Sequence, residues 1–366
     1  MYLFLTQCFA SRVGGIEDLI TNFSLTLGAK KEVKVFADQH LVAQDELFDL
    51  KNKKLIKVFR YGGMKILRRH RKARDVKLYI NEKNIDAIIA DTWKSLELCI
   101  DEINLKKIPV LCLAHGNELI CKNEKRKKRI IGIYNKIKYI VANSKYTAQL
   151  LKNLGISDKK IFIVNPGAKN LERTETSNQY DLKDYPILLT LSRLEKRKGH
   201  RNVIDAIERL KNDFPRVKYV IAGEGPELKN LTEKTKKLDL KDHVLFIGNI
   251  NDSQKKEVFN KSTLMIMPTT DEISSGSIEG FGIVYIEAAM EGLSSIATDV
   301  GGVADAIINN ETGILIKPEE DLYESLKKIL SDEKKIKLLN YQAKERAIKY
   351  FNWNAVTESY LKVLKD

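Results

Sequence analysis

At 366 residues the chain has room for two domains of ordinary size, and a composition 43% hydrophobic and 31% charged is that of a folded globular protein, not a disordered one. No apolar run approaches the ~18 residues of a membrane-spanning helix, and the opening "MYLFLTQCFA" lacks the basic region and small-residue cleavage site of a secretory leader, so it reads as a first buried strand. The net charge of +14 is lopsided: residues 1–170 hold 33 Lys/Arg against 17 Asp/Glu, and the remainder hold 30 against 32.

In chain order, "YLFLT" is a predicted strand, followed by Gly14, Gly15 and a helical pattern in "IEDLITNFSLTL". "EVKVFAD" is the next strand. Then comes the basic stretch 51–77, which interleaves Leu55, Ile56, Val58, Phe59, Met64, Ile66 and Leu67 with its cations. That mixture suits an anionic membrane surface, at ~1 kcal/mol per basic residue near it, or a nucleic-acid backbone. A second run, "KNEKRKKR", spans 122–129 and reads equally well as a solvated helix face. The strands "IDAIIAD", "PVLCLAH", "YIVANS" and "IFIVN" are continuous apolar runs with helical patterns between them, as in a parallel sheet covered on both faces. His115 ends one of them. Cys8, Cys99, Cys112 and Cys121 lack regular spacing and are expected to be free thiols in a reducing compartment.

After Pro166 the stretch 167–186 is polar and aperiodic and is predicted to be an interdomain linker. The alternation then restarts through "ILLTLSR", "VKYVIAG", "HVLFIGN", "TLMIMP", "SSIATD" and "GILIKP", and the chain ends in helix-forming sequence with a break near Asn352. The predicted domains are 1–170, 171–345 and a helix over 346–366 packing back on the first. Ligands of open α/β sheets bind beyond the carboxyl ends of the strands, so the candidate residues are those just after strands.

In the second half, Arg193 and Lys198 follow "ILLTLS" and suit a diphosphate. Gly223 and Gly225 in "GEGPEL" begin a dinucleotide fingerprint that Leu228 leaves incomplete. "EGFGIVYIE" places Glu279 and Glu287 around a helix predicted to start near Gly282 or Ile283, whose N-terminal N–H groups and dipole favour a phosphate. A nucleotide sugar matches this layout, one carboxylate to each set of hydroxyls. An ionised Glu287 inside so apolar a helix would be costly without partners.

"EGFGIVYIEAAMEGLSSIATDVGGVADAI", with "SRLEKRKGH", "IAGEGPE", "VLFIGNI" and "TGILI", resembles the donor-binding signature of family 4 retaining glycosyltransferases. The lead-in "TTDEISSGSI" is similar to that of the branch containing bacterial phosphatidylinositol mannosyltransferases. The resemblance implies an α/β, GT-B architecture of two Rossmann-like doubly wound parallel-sheet domains facing across a cleft. It implies His115 in "HGNE", Glu279, Arg193 and Lys198 as catalytic residues. Gly14, Gly15, Gly225, Gly248, Asn249, Ile250, Gly280, Phe281, Gly282, Ile283, Val284 and Glu287 would hold the nucleotide sugar, a GDP-, UDP- or ADP-hexose. Glu279 would take the donor sugar, Glu287 the ribose, and the helix start between them the diphosphate. No Asp-x-Asp metal motif, HExxH or GxSxG occurs in the sequence, so no metal and no prosthetic group are expected.

The expected activity is retaining hexosyl transfer to a glycan, lipid-linked or phospholipid acceptor in cell-envelope synthesis. The expected location is the cytoplasm or the inner face of the plasma membrane, attached through 51–77 and 122–129, with no nucleic-acid partner. Residues 269–278 read as a flap over the donor. Two alternatives stay open on the residues alone: a nicotinamide-dependent oxidoreductase resting on "GEGPEL", and a non-catalytic basic protein that binds nucleic acid.

Overall fold

A computed structural model of the chain describes residues 1–183, 185–270 and 277–365. The flap read at 269–278 therefore falls largely outside the described residues. In chain order the elements of the first half are β1 (Tyr2–Thr6), α1 (Gly15–Gly28), β2 (Val33–Asp38), α2 (Val42–Asn52), β3 (Lys57–Tyr61), α3 (Lys65–Glu82), β4 (Ala87–Ala90), α4 (Trp93–Leu96), α5 (Ile100–Leu105), β5 (Val110–Ala114), α6 (Glu124–Asn135), β6 (Tyr139–Ala142), α7 (Lys145–Asn153) and β7 (Ile161–Ile163). The second half continues with β8 (Ile187–Leu191), α8 (His200–Leu210), β9 (Lys218–Ala222), α9 (Leu228–Lys237), β10 (Val244–Gly248), α10 (Asp252–Lys261), β11 (Leu264–Met267), α11 (Ile283–Met290), β12 (Ser295–Thr298), α12 (Val303–Ala306), β13 (Gly313–Ile316), α13 (Leu322–Leu330), α14 (Glu333–Tyr350) and α15 (Trp353–Val363).

The chain divides into two compact units, Met1–Pro166 with Trp353–Asp366, and Gly167–Asn352. The first holds a seven-stranded sheet in the order β3-β2-β1-β4-β5-β6-β7 and the second a six-stranded sheet in the order β10-β9-β8-β11-β12-β13. The named strand pairings are parallel throughout. The strand order reverses direction between β1 and β4 in one sheet and between β8 and β11 in the other, which is where a doubly wound fold opens a ligand crevice.

Apolar strands buried on both faces require helices on both sides. In the first unit α3 covers one face through Ala73, Val76 and Ile80, and α1 covers the other through Leu19, Ile20, Phe23 and Leu27. The last helix, α15, joins α1: Tyr360 stacks on Phe23 with ring centroids 4.5 Å apart. In the second unit α11 and α8 lie on opposite faces of the sheet, in separate apolar clusters. The terminal helical sequence breaks at Phe351–Asn352, so residues 346–352 belong with the second unit and only α15 with the first.

The stretch 167–186 is not a free linker. It belongs to the second unit, and Leu171 and Leu182 enter its core. The reason is a buried carboxylate on α10: Glu257 accepts from Gln179 N (3.0 Å), Tyr180 N (2.9 Å) and the Ser177 hydroxyl, beside Lys261 Nζ at 2.7 Å. Backbone groups that no sheet satisfies are satisfied by that side chain. Among the described residues no helix is long and apolar enough to cross a membrane. The four cysteines are free thiols, and burial raises Cys99 to about 12.

Candidate functional site

In the second unit the loops after β8, β11 and β12 converge on Glu279. Its carboxylate meets Lys198 Nζ at 2.6 Å and an Arg197 guanidinium nitrogen at 3.2 Å, and its side chain is 13% exposed. Its carbonyl accepts from Gly302 N, 2.8 Å away. Burial alone would raise the Glu279 pKa, but the charges of Lys198 and Arg197 and their hydrogen bonds outweigh it and hold the group ionised below the usual carboxylate range. Two backbone features aim this cluster. Gly199 has φ 75°, and a Cβ there would overlap the Pro268 carbonyl, so the short 3-10 turn Lys196–Lys198 lies tight against the end of β11. Thr270 N then donates to the Arg197 carbonyl at 2.7 Å.

Arg193 and Arg197 differ from their sequence reading. Arg193 is 74% exposed and pairs with Glu195 at 2.9 Å. Arg197, which reads as one more solvated cation, is 8% exposed and joins Glu279. Glu195 bridges the two, accepting from Arg197 Nε at 3.2 Å. The structure thus brings Lys198 and Glu279 together, leaves Arg193 at the rim, and adds Arg197.

α11 starts at Ile283, with Gly282 as its N-cap at φ 89°, where the Tyr285 ring packs too closely to allow a side chain. Gly280 and Val284 flank this start half-buried, as does Ile283. The Phe281 ring lies in the core, 6.0 Å from Phe351 between centroids, so any ligand contact there falls to its main chain. Glu287 sits in the second turn of α11 and pairs with Lys255 of α10 at 2.9 Å. That cation corrects the sequence argument from cost: the Glu287 charge already has a protein partner. Gly223, at φ 130°, donates to the Gly248 carbonyl at 2.7 Å, and side chains at Gly223 and Gly225 would strike the main chain of Ser192 and Leu194. The loop after β9 is therefore laced to the loop after β8. Gly248 has φ 68° at the end of β10, with Asn249 exposed and Ile250 half-buried beside it.

In the first unit the organising residue is Asp91, at the end of β4 and fully buried. Its carboxylate accepts from Thr6 Oγ1 (2.9 Å), Gln7 N (2.8 Å) and Ser95 Oγ (2.6 Å). Its carbonyl lies 2.8 Å from His115 Nε2, and the His115 main-chain N–H donates to Glu118 at 2.7 Å. A carbonyl only accepts, so Nε2 carries a hydrogen and donates it there. Gly14 and Gly15 open α1, but the Glu17 carboxylate, paired with Arg12 at 3.0 Å, folds over Gly14 into the space a Cβ would take. Burial, with Asp91 and Glu17 nearby, raises the Cys8 thiol to about 12, so it is no nucleophile at neutral pH. Sequence reasoning missed Asp91, Arg197 and Lys255. A buried acid at a strand end, as in "IDAIIAD", was the available signal for the first.

Five of the twelve Lys and Arg residues of the basic stretch 51–77 pair with carboxylates outside it: Arg60 with Asp49, Arg68 and Lys72 with Asp38, Arg69 with Glu97, and Lys77 with Glu102. Ile56 is buried, whereas Met64, Ile66 and Leu67 stand exposed at the start of α3 beside Lys65 and Arg71. Among the described residues no group of three or more His, Cys, Asp or Glu is placed to hold a metal ion.

Two family models match the chain in tandem, one described as Glycosyltransferase Family 4 over residues 13–169 and one as Glycosyl transferases group 1 over residues 172–346. Among curated proteins, the phosphatidylinositol N-acetylglucosaminyltransferase gpi3 subunit of Schizosaccharomyces pombe is 28% identical over 57% of this chain and 44% of its own length. The GDP-mannose-dependent alpha-(1-6)-phosphatidylinositol monomannoside mannosyltransferase of Mycobacterium tuberculosis is 25% identical over 50% of this chain and 48% of its own. The chain thus spans about half the length of these relatives. Among solved structures, Anabaena HepE in complex with UDP superposes with a TM-score of 0.82 over 100% of this chain and 99% of that one, at 19% identity. A Rickettsia africae glycosyltransferase does so at 0.78 and 21% identity, over 100% and 98%. These likenesses establish the GT-B fold.

Proposed function

The chain belongs to the family 4 and group 1 glycosyltransferases, and from that premise we propose that it moves a hexose from a nucleotide sugar to a hydroxyl acceptor with retention of anomeric configuration. The observation that carries this reading is the convergence of Glu279, Lys198 and Arg197 beside the N-terminus of α11, at the β8/β11 switch point.

In this reading the donor diphosphate lies at the α11 start, over the main chain of Gly280, Phe281, Gly282, Ile283 and Val284. Arg193, Arg197 and Lys198 neutralise the charge that grows on it as the sugar leaves. Glu279 accepts from the sugar hydroxyls and Glu287 from the ribose. The base rests on main chain near Gly225 and Gly248–Ile250. In the first unit His115, its Nε2–H donating to the Asp91 carbonyl, offers Nδ1 to a ligand hydroxyl. The sugar C1–O bond to phosphate breaks, the acceptor oxygen bonds to C1 on the same face, and the acceptor proton passes to the leaving phosphate oxygen. The charge work assigned to these cations makes the reaction independent of added metal. UDP in the HepE complex, and GDP-mannose in the name of the mycobacterial relative, make UDP- and GDP-hexoses the first donors to test, with ADP-hexoses as the third series.

The names of the relatives above favour a phosphoinositide or other lipid-linked acceptor. We place the protein at an anionic cytoplasmic membrane face through Met64, Ile66, Leu67, Lys65 and Arg71. The test is sugar transfer from a labelled nucleotide sugar to membrane extracts. Glu279→Ala, Lys198→Ala and His115→Ala are each expected to lose at least 100-fold. Near wild-type transfer by all three would overturn the assignment.

A further inference from the structure

In the second unit the loop after β8 and the lead into α11 form a row of alternating charge. Arg193, Glu195, Arg197, Glu279 and Lys198 follow one another at 2.9, 3.2, 3.2 and 2.6 Å. Glu195 is the member of this row that the proposed transfer leaves idle. Its two oxygens face different arginines, Oε1 taking Arg193 and Oε2 taking Nε of Arg197. The two arginines are held unequally. Arg197 is buried and has a second carboxylate in Glu279, whereas Arg193 stands in solvent, where an ion pair is weak and exchanges readily. Glu195 is fixed by its main chain. Leu194 before it is buried and bonded on both sides, its N–H to the Glu224 carbonyl at 2.9 Å and its carbonyl to Glu227 N at 3.0 Å. The Glu195 carbonyl in turn accepts from Lys198 N at 3.0 Å. The Arg193 side chain is thus the movable end of the row, and Glu195 is its anchored counter-charge.

We propose that Glu195 is a positioning residue of the donor site: it pairs with Arg193 until the donor diphosphate takes the arginine over, and pairs with it again when the nucleoside diphosphate leaves. The step is an exchange of one anion for another on the same guanidinium. A diphosphate offers that planar fork more negative charge than a carboxylate does, so Arg193 moves to it. The carboxylate left behind is a like charge close to the bound diphosphate, which weakens its hold and favours release. Glu195 keeps its contact with Arg197 throughout, so the Arg197–Glu279 pair stays in place. This rests on the proposed transfer, in which Arg193 meets the diphosphate, and adds the residue that limits how tightly the spent nucleotide is kept.

The experiment titrates inorganic pyrophosphate, UDP, GDP and ADP into four proteins: wild type, E195Q, R193A and the double variant. In E195Q the amide oxygen can still accept from Arg197 Nε, so the turn is kept while the charge is removed. E195Q is expected to bind pyrophosphate and the nucleoside diphosphate roughly fivefold tighter or more, and the gain is expected to vanish in the R193A background. The KM for the nucleotide sugar and the inhibition constant of the released nucleoside diphosphate should fall together in E195Q, whereas a merely structural Glu195 would raise both. Equal or weaker pyrophosphate binding by E195Q overturns the inference, as does a gain undiminished in R193A. Pyrophosphate reads the exchange without any nucleoside, so the two readings fail separately. A pyrophosphate gain that runs through Arg193, with no nucleotide-sugar binding by the wild-type chain, would uphold the exchange and sink the proposed transfer.

Discussion

Glu279 meets two cations at once, and this sets what a donor must rearrange. In the Glu279→Gln variant, Arg197 and Lys198 lose their shared counter-charge while 8% exposed, which should cost on the order of 2–3 kcal/mol in urea unfolding. A saturating nucleoside diphosphate should return part of that loss by supplying the missing charge; no recovery with any nucleotide would argue against phosphate at this place. His200 makes a second residue-scale test. Its ring bridges the Ser192 hydroxyl and the Tyr219 phenol at 3.1 Å each, and burial, helped by the Lys198 charge, lowers its pKa from 6.5 to about 4. The unfolded chain binds a proton there that the folded chain refuses. The stability this group contributes is therefore complete above pH 6.5 and drains away as pH falls toward 4, by roughly 3 kcal/mol. Unfolding free energies should drop over that window in the wild type and markedly less in His200→Gln. Neither Arg197 nor His200 is legible in sequence, because "RLEKRKGH" offers four cations before its histidine, and only the left-handed Gly199 and the approach of Pro268 decide which of them turn inward.

At the scale of elements, the parallel strands are readable because a strand covered on both faces must be apolar throughout, as "IDAIIAD" and "PVLCLAH" are. The start of α11 is readable too, since Gly282 breaks the pattern just before an unbroken apolar run. The stretch 167–186 is not, because its order comes from one distant side chain rather than from any local period. Burial would raise the Glu257 pKa, but Lys261, Ser177 and the Tyr180 and Gln179 N–H groups pull it to about 2. Its contribution is present above pH 4.5 and lost only as pH falls toward 2, a window below that of His200. Glu257→Ala should cost about 2–4 kcal/mol and open 172–183 to limited proteolysis. An unchanged cleavage pattern would mean the segment is held otherwise. Gly223→Ala should displace the loop after β8, because the new Cβ would overlap the Ser192 carbonyl. It is expected to weaken nucleotide binding at least tenfold.

For the whole molecule, the charge split of the sequence survives folding but changes meaning. Part of the first run is taken up in pairs inside the first unit, and what stays exposed includes a short apolar and basic edge at Met64–Leu67 with Arg71. Flotation with anionic vesicles should show binding that weakens with salt and disappears when Met64 and Ile66 become Ser and Lys65 and Arg71 become Ala. Vesicle binding insensitive to those changes would move the contact elsewhere. That the two basic runs converge on Glu97 could not be seen in sequence, since the pairs join residues 28 and 32 positions apart. The central claim is a nucleotide-sugar site in the second unit. The most direct test is the melting temperature of the wild-type chain with saturating UDP-, GDP- and ADP-hexoses and with NAD. One nucleotide series should raise it by several degrees, the sugar form with its diphosphate, and lose that rise in Glu287→Ala. Stabilisation by NAD with no response to any nucleotide sugar would contradict the account.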